Sequence, residues 1–121
     1  MFQSLFSRKS GELLGGNPRL KSYSARSGEV YRYFFQGHRR YRRGVEFVFQ
    51  LAEGTEWRPI RAFLADVVVT GWQSINSRKL SSTEQYAIAK MALFEAFEKS
   101  PPSELQVTTA DVTLFAERLG F

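Results

Sequence analysis

The hydrophobic positions fall into segments with different periods. Val45, Phe47, Phe49 and Leu51 alternate with Glu46, Val48 and Gln50, the two-residue repeat of a strand with one buried face. Val30 to Phe35 is a run of aromatic and β-branched residues bounded by Gly28 and Gly37, and it reads as a second strand. The two predict an antiparallel hairpin over about 29–52. Its turn lies either across Gly37–Gly44 or, if the first strand continues past a bulge at Gly37, at Arg42–Gly44.

Downstream the period lengthens. Ile60, Phe63, Leu64, Val67, Val68 and Trp72 recur at helical spacing, and Pro59 suits a first helical position, so a helix is expected over 59–73. The Val67-Val68-Val69-Thr70 stretch opposes this with strand propensity. Ser81-Ser82-Thr83-Glu84 fits a capping box ahead of an Ala-rich apolar segment that Pro101-Pro102 stops, which predicts a helix over 82–98. A final helix over 109–119 follows a threonine cap, with Asp111 at its positive end and Gly120 after it. The order is that of an α+β domain, with helices packed on one face of a small antiparallel sheet. Two strands alone are marginal, so a third is expected from the tail, from Leu105–Val107 or from a partner chain.

Residues 1–27 read as a basic tail containing Ser and Gly, and residues 28–121 as a single domain. Gly11, Gly15, Gly16 and Pro18 interrupt regular structure, while Phe2/Leu5/Phe6 and Leu13/Leu14 are apolar clusters able to dock, and the first of them, with Arg8 and Lys9, could form a short surface-seeking helix. The tail loosely fits a transit peptide, but no secretory signal or apolar run of membrane-spanning length is visible. A cytoplasmic location is the expectation.

Charge is asymmetric. Residues 1–43 carry ten Lys/Arg against two acids, whereas the remainder is mildly acidic and the whole chain is +5. There is no cysteine and one histidine, which excludes disulfides, thiol chemistry and thiolate or multi-histidine metal sites. No cofactor loop and no nucleophile–base–acid spacing is present, so no catalytic residue, metal or cofactor is assigned and an enzyme is not expected.

Arg39-Arg40-Tyr41-Arg42-Arg43 places four guanidinium groups in five residues, with His38 beside them and Arg32 and Arg58 within reach. Guanidinium forks match phosphate, and aromatic neighbours can stack on bases. Arg32, His38, Arg39, Arg40, Tyr41, Arg42 and Arg43 are therefore the candidate site for a polyanion, nucleic acid being favoured over an acidic protein surface. Pairing with Glu29, Glu46, Glu53 or Glu56 across the sheet would weaken that reading. The Arg39-x-x-x-Arg43 spacing resembles the arginine pair of cyclic-dinucleotide-binding PilZ domains. The Asp/Asn-x-Ser-x-x-Gly run that completes that motif is absent, and no family is assigned. The alternative function is protein interaction or assembly, including a homodimer, through Phe34 and Val48 on the second sheet face.

Overall fold

The computed structural model describes residues 12–121. The Phe2/Leu5/Phe6 cluster and the first part of the tail lie outside the described residues. Strands β1 (Asn17–Ser24), β2 (Val30–Arg40), β3 (Gly44–Glu53) and β4 (Glu56–Ala65) are followed by helices α1 (Asp66–Asn76) and α2 (Ser82–Phe97), strand β5 (Glu104–Gln106) and helix α3 (Thr109–Leu119). The fold is α+β. Among the described residues its sheet has five strands in sequence order, antiparallel except where β5 runs parallel to β4. Both chain segments considered for a third strand are used: the tail supplies β1 and the segment before α3 supplies β5.

The expected helix over 59–73 is corrected. Residues 59–65 continue β4, and the helix starts only at Asp66. Ile60, Ala62 and Leu64 alternate into the core, and β4 pairs with β3 from Glu53↔Glu56 to Gly44↔Ala65. Pro59 fits because the amides of its parity point away from β3. The Arg61 N–H donates to the Ser103 carbonyl at 2.9 Å, and β5 begins only opposite Arg61, so no partner awaits an N–H at position 59.

The core is built between one sheet face and the helices. Phe49, Leu51, Ile60 and Leu64 meet Ile88, Leu93 and Phe97 of α2 and Val112 and Phe115 of α3. Both capping boxes form: Ser81 Oγ accepts from the Glu84 N–H and Thr108 Oγ1 from the Asp111 N–H, with each carboxylate returning to its cap. Among the described residues no helix is long and apolar enough to cross a membrane.

At the far end of α2, the Tyr23 hydroxyl of β1 donates to the Glu98 carboxylate, which also accepts the Arg26 N–H at 3.1 Å. The Tyr23 bond is the main reason the Glu98 carboxyl lies below its ordinary range, and the same bond raises the Tyr23 phenol. A depressed carboxyl stabilises the fold above its unfolded value of 4.5 and loses that effect as pH falls. A raised phenol stabilises below its unfolded value of 10.0 and loses the effect as pH rises through the folded value. Tyr23→Phe is therefore expected to flatten the stability profile at both ends. Urea midpoints at about pH 3, 7 and 10.5 check this, the parent–variant gap being widest at pH 7.

Candidate anion-binding hairpin

Of the two turn positions open to the β2–β3 hairpin, the structure adopts the distal one. The β2–β3 register shifts between Phe35 and Gly37, and β2 then continues to Arg40. Gly37 sits at φ +142°, where a Cβ would lie 2.9 Å from the Leu13 Cβ and the Leu14 carbonyl oxygen, so only glycine fits this bulge. The shift has a chemical consequence. It puts His38 opposite Phe47, on the helix-facing side, and Arg39 opposite Glu46, on the other side.

The chain reverses over Tyr41–Gly44, with the Tyr41 N–H donating to the Gly44 carbonyl at 3.0 Å. Arg42 (φ 47°) and Arg43 (φ 58°) are both left-handed, the sense that matches strand twist in tight hairpins and is normally filled by Asn-Gly. A non-glycine residue there costs roughly 1–2 kcal/mol. The glycine of this turn is committed elsewhere: a Cβ at Gly44 would stand 2.5 Å from the Phe63 ring. The two strained positions thus carry arginines, both exposed.

The four arginines divide by function. Arg39 crosses to Glu46, with Nε and one terminal nitrogen each 3.1 Å from Oε1. Glu46 is fully buried at 0% exposure. Arg40 forks onto Asp66 at the start of α1, one nitrogen 2.9 Å from Oδ1 and the other on Oδ2. That hydrogen bond is the main reason Asp66 is held below the usual carboxylate range. The Asp66 N–H donates to the Arg43 carbonyl, tying the turn to α1. Arg42 instead lies over the Tyr41 ring at 5.4 Å, and Tyr41 meets the edge of Phe63. Neither Arg42 nor Arg43 has an acidic partner among the described residues.

The sequence candidates do not form one surface. Tyr41, Arg42 and Arg43 share the tip. Arg32 is exposed lower on β2, opposite Ser22 of β1. Arg58 is taken by Glu53 at 3.0 Å and by the Pro101 carbonyl at 2.9 Å. His38 is half-buried, its backbone bridged to Leu14 in both directions and its ring 6.0 Å from Phe47. Val48 is only 3% exposed and offers no contact surface, whereas Phe34 is half-buried against the edge of Trp57, which is 49% exposed. Among the described residues no three His, Asp or Glu side chains converge as a metal ion would require.

Lys21 and Lys90 were not distinguished by the sequence. Burial, and then the charge of Lys21, hold the Lys90 ammonium below the usual lysine range. One is on β1 and the other on α2, and no local spacing could have announced the pair. No family model, curated protein or solved structure matches the chain.

Proposed function

We propose that this chain is a non-catalytic, cytoplasmic binding domain that holds an anionic partner, a nucleic-acid backbone above all, on the tip of the β2–β3 hairpin. The observation that carries the reading is the pair Arg42 and Arg43: exposed, without acidic partners among the described residues, and set on backbone positions that cost stability. Strain without a structural return favours a contact role. Arg39 and Arg40 support the tip through Glu46 and Asp66 and are not free to bind. Tyr41, beneath Arg42, presents an aromatic face beside the cations.

The test exploits the turn itself. Arg42→Asn/Arg43→Gly supplies the residues a left-handed hairpin turn prefers. It is expected to raise stability by about 1 kcal/mol while weakening binding. With fluorescent single-stranded and duplex oligonucleotides titrated across salt, the parent should show a linear fall of log K with log salt. The variant should lose about one to two units of that slope, one per phosphate contact. Unchanged affinity and slope would refute the reading.

Assembly keeps one supporting feature, the Phe34–Trp57 ledge on the sheet face away from the helices. A homodimer through this ledge would be broken by Trp57→Glu, whereas oligonucleotide binding would be spared.

A further inference from the structure

Several arginines are paired with acids. Arg39 pairs with Glu46, Arg40 with Asp66, Arg58 with Glu53, Arg78 with Glu84 and Arg118 with Glu95. Lys21 and Lys90 break the pattern. Both lie at Tyr86, which lines a cleft together with Lys21 and has the Lys90 ammonium over its ring, and neither lysine has a carboxylate partner among the described residues. Lys90 packs its stem on α2, its Nζ 5.9 Å from the Tyr86 ring centre and 5.7 Å from that of Phe94. Burial, and then the charge of Lys21, hold Lys90 below the usual lysine range. Two half-buried ammonium groups beside the same ring cost stability in the empty protein, and an anion between them removes that cost.

Beside this pair is a cleft of about 340 Å3 between β1, β2 and the start of α2. Lys21, Asn17, His38, Thr83 and Tyr86 line it. Its contents are therefore cationic at one side, aromatic along the wall and supplied with hydroxyl and amide groups. The positive end of the α2 dipole lies on the same cleft, adding to the field without defining the site. Adjacent ammonium groups match a dianion better than a single carboxylate, and the cleft exceeds what bare phosphate would fill.

We propose that this cleft binds a phosphate monoester of a small molecule, with the phosphate on Lys21 and Lys90 and the esterified group against Tyr86 and His38. The site is separate from the hairpin tip and does not depend on it.

Phenyl phosphate, inorganic phosphate and sodium chloride at matched ionic strength are the probes, followed by amide chemical shifts and by melting temperature. Phenyl phosphate should bind saturably, shift amides of β1 and the first turn of α2, and raise the melting temperature with its concentration. Inorganic phosphate should bind more weakly at the same amides. Lys21→Met and Lys90→Met, which keep the apolar stems, should each weaken phenyl phosphate by roughly tenfold or more, the scale of a lost charge-assisted hydrogen bond. Without ligand they should melt no lower than the parent. Lys90→Arg should retain binding, and so should Arg42→Asn/Arg43→Gly, which tests the hairpin alone. A response that sodium chloride reproduces, that survives both methionine substitutions, or that disappears with the hairpin variant overturns the proposal. So does a methionine variant that melts well below the parent without ligand, since the lysines would then be holding the fold.

Discussion

Replacing Glu46 with alanine is expected to destabilise the protein by about 3–5 kcal/mol, the cost of leaving one half of a buried ion pair without its partner. Glu46 points from β3 to the sheet face away from the helices, yet it has no exposed surface. Its Oε1 takes two nitrogens of Arg39, whose side chain retains 10% exposure. Truncation takes the carboxylate from that guanidinium in a site where water is largely excluded. The Arg40–Asp66 fork is the internal comparison. Its side chains are 64% and 48% exposed, so Arg40→Ala should cost no more than about 1 kcal/mol despite the better geometry. Urea unfolding with unchanged slope gives both values. Combining Glu46→Leu with Arg39→Met should recover much of the Glu46→Ala loss, because removing both charges also removes the desolvation penalty. A Glu46→Ala cost below about 1 kcal/mol would mean that Arg39 is not structurally committed. Arg39 would then return to the anion-binding set with Arg42 and Arg43.

That division of the arginines shows where the sequence was legible. The capping signals of α2 and α3 are local, with Ser81–Glu84 and Thr108–Asp111 each within one turn, and both helices begin where those residues place them. The alternation of Val45 to Leu51 is likewise local and gave β3. The segment 59–65 carries two periods at once. Ile60 and Leu64 satisfy a helix, Ile60, Ala62 and Leu64 satisfy a strand, and pairing with β3 decides between them. The start of α1 leaves no mark because Ala65 caps it without a side-chain hydrogen bond. β1 was obscured by Gly16 just before it and by Pro18 within it, the latter a residue that an edge strand tolerates. Pairing of the arginines across the sheet was foreseeable in kind, and Glu46 was among the named partners. Asp66 was not, since its position at the hairpin depends on where β4 ends. The placing of Lys21 and Lys90 about Tyr86 had no sequence signal, because the β1–α2 approach that makes it is wholly tertiary.

The same approach makes Phe97→Ala the other substitution with a large expected effect, again about 3–5 kcal/mol. Phe97 is 1% exposed at the last turn of α2. Its ring stacks on Tyr31 at 4.5 Å with planes 6° apart and also meets Tyr23 at 5.6 Å and Tyr33 at 5.8 Å. It therefore joins α2 to both β1 and β2. Among the described residues β1 has β2 as its only strand neighbour, while β3 is paired on both sides. Loss of the ring should consequently loosen β1 before the centre of the sheet. Hydrogen exchange is expected to show β1 amides losing more protection than those of β3. Phenyl phosphate binding should weaken along with them, because Lys21 lies on β1. Oligonucleotide binding below the melting transition should persist, because Arg42 and Arg43 lie between β2 and β3. Equal loss of protection in β1 and β3 would instead make Phe97 a support of the whole core, and both binding activities would then decline together.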